Sequence, residues 1–309
     1  MRYIFGRIVS AIFVVWFVIT LTFMLMHAIP GGPFSSEKVL PPAIIDNINE
    51  RYHLNDPLLK QYLDYLKNMA YFDFGPSYRY QGRTVNDLLQ EGFPKTALLG
   101  LSATILALFG GVAMGVTAAL KQNKMLDYVI IFLVTIGISV PSFVLATFLQ
   151  YYIGYELHWF PPLGWGEVKN IILPVIALSA YPVAQIARLT RAGMLDVLTQ
   201  DYIRTAKAKG LAKSTIIIRH ALKNALTPVV TFLGPFFAYI LTGNFVIEYV
   251  FNIPGIGQFF VTSISNRDYP VIMGTTVLFA ALLVTFNLLA DIIYTLLDPR
   301  IKLTGREGA

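Results

Sequence analysis

"DYIRTAKAKG", Asp201–Gly210, is a basic break between two apolar runs in a chain of 309 residues that is 55% hydrophobic and 14% charged. Soluble domains carry about 25% charged residues, so this chain lacks the polar surface to keep a globule in water. The composition reads as an integral membrane protein. Upstream of the break lie four apolar stretches and downstream two, each long enough to cross about 30 Å of hydrocarbon. They are Ile8–Ile29, Thr96–Leu120, Tyr128–Ile153 and Ile171–Leu189, then Val229–Phe251 and Val271–Leu297. Backbone polar groups find no water inside a bilayer, so all six are expected to be helices. The fold class is therefore an all-α polytopic membrane protein, one unit over 1–309 with six transmembrane helices. Pro174 and Pro182 in the fourth stretch and Pro235 in the fifth predict kinks.

Charge placement orients the chain. If the N-terminus is inside, the inner side collects Arg2, Arg7, Lys121 and Lys124. It also takes Arg188, Arg191, Arg204, Lys207, Lys209, Lys213, Arg219 and Lys223 around the break, with Arg300, Lys302 and Arg306 in the tail 298–309. The two short outer loops hold only Lys169 and Arg267. By the positive-inside rule both termini are cytoplasmic. The segment 30–95 is too long for that rule, and its charges nearly balance. It mixes turn signals with "LLKQYLDYLKNM", where Leu58, Leu59, Tyr62, Leu63, Tyr65, Leu66 and Met69 mark one side of an amphipathic helix. A small helical outer cap is expected, serving either to dock an external partner or to shield helix ends. The first apolar stretch exceeds the roughly 7–15 residues of a cleavable signal and runs into "AIPGGP", so a retained anchor is expected.

Several chemistries are excluded. There is no cysteine, hence no disulfide, thiol nucleophile or thiolate metal site. His27, His53, His158 and His220 stand apart without ligand spacing. "KGLAKST", Lys209–Thr215, lacks the second glycine of a phosphate-binding loop, Ala212 preceding Lys213. No catalytic residue, cofactor or metal is expected on this chain.

The break itself, within a predicted cytoplasmic loop over 190–228, reads as two short helices. In the first, Asp201 is a candidate N-cap and Gly210 a stop. Ile203, Ala206 and Gly210 fall within about 60° of one another at 100° per residue, a narrow small-residue strip suited to a partner's groove. Arg204 and Lys207 lie on the other side. In the second, Ser214 is a candidate cap, and Ile218, Ala221, Leu222 and Ala225 repeat at helical spacing. Spacing alone leaves open an anchor to anionic lipid or a protein dock.

"DYIRTAKAKGLAKSTIIIRHALKNALTPVV", Asp201–Val230, resembles the cytoplasmic coupling loop of binding-protein-dependent ABC importer permeases, in particular the B-type subunits of the oligopeptide and dipeptide branch. The resemblance runs along nearly the whole chain. It includes "RIVSAIFVVWFVITLTFMLMHAIPGGPF", "DFGPSYRYQGRTVNDLL", "GISVPSF", "FNIPGIGQFFVTSISNRDYPVIMG" and "DIIYTLLDPRIKL". The superfamily's Glu-Ala-Ala…Gly pattern is met only by Ala206 and Gly210; Arg204 and Thr205 take the first two places. The oligopeptide branch commonly departs in this way, so no role for that glutamate carries over.

The resemblance implies the type I importer permease fold in a bacterial plasma membrane. It implies half of a translocation pathway for oligopeptides, with dipeptides, nickel complexes or haem as alternative cargo in the same branch. The implied partners are a homologous C-type permease, two cytoplasmic ATPases that carry ATP and Mg²⁺, and an extracellular peptide-binding lipoprotein; no nucleic acid is implied. The coupling interface would be Asp201, Tyr202, Ile203, Arg204, Thr205, Ala206, Lys207, Ala208, Lys209 and Gly210. Readings outside the family are a non-transporting receptor or scaffold and a channel.

Polar residues inside the apolar stretches are candidates for the cargo path, because a carboxylate there is costly and lines a cavity or finds a partner. Asn244 with Glu248, and Asn287 with Asp291, are each spaced i, i+4; Gln150 and Gln185 are weaker candidates. Ala103, Ala107, Gly111 and Gly115 form a small-residue ridge for close helix packing, against this chain or another.

Overall fold

In a computed structural model of the chain, residues 2–29, 55–241 and 244–297 are described, without the side chains of 2–5, 234, 235, 237–239, 241 and 290–297. The tail 298–309 and the first part of the expected outer cap, 30–54, lie outside the described residues. The described elements are helical throughout. In chain order they are α1 (Arg2–Ala28), α2 (Leu58–Ala70), α3 (Val85–Leu120), α4 (Met125–Ser139) and α5 (Ser142–Phe148), which continues as a π-helix to Glu156. Then follow α6 (Val168–Leu198), α7 (Asp201–Ala208), α8 (Lys213–Ala225, π-helical over Ile216–Ala221), α9 (Thr227–Leu241), α10 (Phe245–Val250), α11 (Ile256–Asn266) and α12 (Tyr269–Leu297).

Among the described residues four helices are long and apolar enough to span a membrane: Gly6–Ala28 of α1, α3, α6 and Tyr269–Leu289 of α12. Two bent pairs bring the number to six if each is one span. Met125–Ser139 and Ser142–Glu156 meet at 106°, and Lys213–Ala225 and Thr227–Leu233 at 48°. The first bend falls at Val140–Pro141, where proline removes a helical donor and disfavours helix in the residue before it. The sequence reading, which ran one helix through Tyr128–Ile153, missed it.

Other helix boundaries also move. α3 begins at Val85, eleven residues before Thr96, because Thr84 and Asp87 close a capping box: the Asp87 N–H reaches Thr84 Oγ1 at 3.2 Å and the Thr84 N–H reaches Asp87 Oδ2 at 2.8 Å. α6 runs to Leu198, past the expected end at Leu189, and stays helical through Pro174 and Pro182. The stretch Val229–Phe251 is divided between α9 and α10. α11, expected as part of an outer loop, is a helix packed on α12 and α3.

The centre of the molecule is the α3–α6 pair. Ala103, Ala107, Gly111 and Gly115 are all buried, and the ridge they make faces this chain's own α6. A Cβ on Gly111 would stand 2.7 Å from Ile186 Cβ, and one on Gly115 2.6 Å from the Ala187 carbonyl. Close approach of two backbones is how helices gain van der Waals contact where lipid removes the hydrophobic drive.

α2 lies at the α1 and α12 end of the bundle. Tyr62 and Tyr65 pack on Phe23, with Tyr269, Ile272 and Met273 in the same cluster. Leu58, Leu59 and Leu63, expected on the packed side, are exposed. Residues 77–79 are tied to the bundle at Asp268. Its carboxylate accepts from the Ser77 hydroxyl and from the Tyr78 and Arg79 N–H groups at 3.1 and 3.3 Å.

Candidate functional site

The basic break folds as a helical hairpin, α7 and α8, leaving the end of α6. The chain enters α7 from Gln200 as N-cap; Asp201 is the first helical residue, its carboxylate 3.6 Å from Arg204 Nη1 in a fully solvated pair. The expected capping role of Asp201 is therefore corrected: as in most first turns, its charge meets the helix dipole without a side-chain cap bond. α7 ends where Gly210 takes φ +72°, a left-handed conformation that glycine adopts without steric penalty.

Two of the three strip residues, Ile203 and Ala206, face inward, contrary to expectation, and Gly210 stays exposed. Ile203 is fully buried and Ala206 is 6% exposed, in a cluster with Ala119, Met194, Val197, Ile216, Ala221 and Ala225. These two form the seam that seats the hairpin on α3 and α6. What remains exposed is Asp201, Tyr202, Arg204, Thr205, Lys207, Ala208, Lys209 and Gly210. Asn224 Nδ2 donates to Tyr202 Oη at 2.9 Å and links α8 to α7.

The apolar stripe of α8 also shifts. Ser214 is not its cap; Ala212 precedes the first turn and no side-chain bond closes it. Ile216, Ala221 and Ala225 are buried, whereas Ile218 is 64% exposed. A π-helical turn spaces its hydrogen bonds at i+5 rather than i+4. The first buried interval is therefore five residues, and a stripe read at 3.6 residues per turn starts on the wrong isoleucine.

Sequence reasoning missed the ion pair at the root of this hairpin. Arg191 on α6 grips Asp127 on α4 through two bonds of 2.8 Å, and Asp127 Oδ2 also takes the Asn123 N–H at 3.0 Å. Asp127 is 1% exposed. A two-pronged guanidinium–carboxylate contact fixes orientation as well as proximity. An acid at the end of an apolar stretch, beside Lys121 and Lys124, was the available signal.

The cargo-path candidates separate. Glu248 is 1% exposed and its oxygens are occupied: Thr96 Oγ1 donates to one at 2.8 Å, Gly257 N–H and Gln258 N–H to the other at 2.8 and 3.3 Å. Thr96 Oγ1 accepts the Ile256 N–H at 3.0 Å. Glu248 and Thr96 together satisfy the first N–H groups of α11, which has no cap of its own. This is a structural clamp between α10, α3 and α11, not an open path. Asn244 is the N-cap of α10, its Oδ1 accepting from Ile247 N–H at 3.2 Å, so the pair does not share a helix face. It borders a mostly apolar cleft of about 470 Å³ between α1, α10, α11 and α12. Asn287 is half-buried on α12; the Asp291 side chain lies outside the described residues. Gln150 joins the π-helical segment to α10, donating to the Val250 carbonyl at 2.7 Å. Gln185 sits in an exposed ladder with Tyr181 and Arg188. Among the described residues no three His, Asp or Glu side chains gather as a metal site.

Comparison with known proteins fits this architecture. Residues 111–303 match the binding-protein-dependent transport system inner membrane component family, and residues 1–100 match its N-terminal companion. The dipeptide transport system permease protein DppB of Bacillus subtilis is 50% identical over 98% of both chains. The oligopeptide transport system permease protein OppB of Escherichia coli is 46% identical over 98% of this chain and 99% of its own. A solved amino acid ABC transporter overlaps more loosely, at TM-score 0.49 and 19% identity over 70% of this chain and 95% of that one. The chain belongs to the binding-protein-dependent transport system inner membrane component family, and is a multi-pass membrane protein of that kind.

Proposed function

We propose that the chain is the transmembrane permease subunit of an ATP-driven importer of peptides, oligopeptides and dipeptides being equally supported. Identity of 46–50% to peptide permeases over nearly the full length carries this reading. In it, a homologous C-type permease completes the pathway, two cytoplasmic ATPases bind ATP and Mg²⁺, and an extracellular lipoprotein delivers peptide. This chain hydrolyses nothing. Both termini and the α7–α8 hairpin are cytoplasmic in this reading, in keeping with the basic residues that the sequence gathers around them.

The coupling role goes to the exposed rim of α7, Tyr202, Arg204, Thr205, Ala208 and Lys209, with Ile203 and Ala206 holding it in place. A rigid hairpin moved by a closing ATPase dimer would bias the spans between two packings. The complex, reconstituted in vesicles with its partner subunits, is expected to accumulate labelled di- and oligopeptides only when ATP is supplied. A photo-cross-linker at Thr205 or Ala208 is expected to capture an ATPase subunit. Peptide entry indifferent to ATP, or capture of lipid alone, would remove the importer assignment.

A further inference from the structure

α6 is the most enclosed of the four long apolar helices, with 56% of its apolar window buried against 33% or less in the others. One strip of it is open and polar. Arg188 Nη2 donates to Gln185 Oε1 at 2.7 Å, and Gln185 Nε2 donates to Tyr181 Oη at 3.0 Å. Tyr181 is 45% exposed, Arg188 is exposed and Gln185 half-buried. At 1.5 Å per residue Tyr181 stands about 20 Å from the start of α6 and about 25 Å from its end. The ladder therefore reaches the middle of a membrane-crossing helix.

Two features argue against a lipid-facing surface. Hydrogen-bonding groups at that depth are costly in hydrocarbon and are found against water-filled cavities or protein. A guanidinium that merely snorkelled would turn toward the hairpin end of α6, where the other cations gather; Arg188 instead bonds Gln185, one turn toward the middle. Arg191, one turn further on, has its charge matched by Asp127. Arg188 has no carboxylate partner among the described residues. It also borders a mostly apolar cleft of about 350 Å³ between α4 and α6, whose other polar lining residues are Thr135, Ser139 and Arg191.

We infer that Tyr181, Gln185 and Arg188 line an aqueous passage along α6 and that Arg188 receives an anionic group moving through it, the C-terminal carboxylate of a peptide. The passage stands on the ladder's geometry alone; the identity of the anion rests on the peptide-importer reading.

The chain has no cysteine, so single thiols report without background from this subunit. In the assembled complex, Tyr181→Cys and Gln185→Cys are expected to react with membrane-impermeant methanethiosulfonates. Phe109→Cys, on the 70% exposed Phe109 of α3 beside exposed Leu101, Ile105 and Leu106, is the control on an apolar surface and is expected to stay unreactive. At Gln185→Cys the anionic sulfonatoethyl reagent should outpace the cationic trimethylammonium one, and adding Arg188→Gln should abolish that preference. Thiols at 181 and 185 as inert as the one at 109 would overturn the passage.

For the anion, uptake of a tripeptide with a free C-terminus is compared with uptake of its C-terminal amide. Arg188→Gln is expected to slow the free acid about tenfold relative to the amide, the scale of one charged hydrogen bond, with the ATPase subunits still copurifying. Equal slowing of both peptides, or loss of the partners, would overturn the carboxylate assignment. Wild-type complex that moves neither peptide would instead sink the importer reading, while the labelling still decides the passage.

Discussion

Glu248 illustrates what one buried carboxylate can hold. It accepts from Thr96 on α3 and from two N–H groups that open α11, and Gly255 and Gly257 leave room for it: a Cβ on Gly257 would stand 2.9 Å from Glu248 Oε2. Removing the acceptor strands three donors, each costing about 1–3 kcal/mol when left buried and unpaired. Glu248→Ala is therefore expected to destabilise the detergent-purified protein by at least about 3 kcal/mol, and Glu248→Gln by less. A thermal-denaturation midpoint within error of wild type for the alanine variant would contradict the clamp. The sequence marked Glu248 as exceptional, a carboxylate in an apolar run, but not its use. Thr96 is 152 residues away, and the other donors are backbone groups that no residue identity reveals.

The α7–α8 hairpin separates two kinds of substitution on one short helix. Ala206 is buried in the seam and Ala208 is exposed. Ala206→Arg would force a charge into the apolar cluster and is expected to give misfolded, protease-sensitive protein. Ala208→Arg is expected to leave insertion and thermal stability unchanged and to weaken ATPase copurification. Equal behaviour of the two in limited proteolysis would contradict the seating of Ala206 in the seam, and the reverse order would mean the helix is turned the other way. The hairpin's existence was legible from Gly210 and the helical spacing around it. Its facing was not, because a strip of small residues suits a partner's groove and a chain's own core equally well. The phase of α8 was lost for another reason: the π-helical turn after Thr215 breaks the 3.6-residue period on which the reading depended.

Across the molecule, the legible part is what hydrocarbon dictates: apolar helices, four of them long enough to cross a membrane among the described residues, and the close-packing ridge on α3. What stayed hidden is what distant residues do for one another. Asp127 with Arg191 ties α4 to α6 at the hairpin end, and Asp268 ties residues 77–79 to the α11–α12 turn. Asp268→Ala is expected to free that segment, seen as new protease cleavage near residues 73–84 in intact, correctly inserted protein; protection equal to wild type would show that the tie is dispensable. The seating of Ile203 and Ala206 beside Met194, Val197 and Ala119 leaves the hairpin no slack of its own. In the coupling role proposed for α7, a push on Arg204 would pass through this seam to α3 and α6 together, as to a single crank. In that picture the give would come from the two bends beside that block, at Pro141 and just after Ala225. Such a machine would be stalled by stiffening an elbow sooner than by trimming the handle.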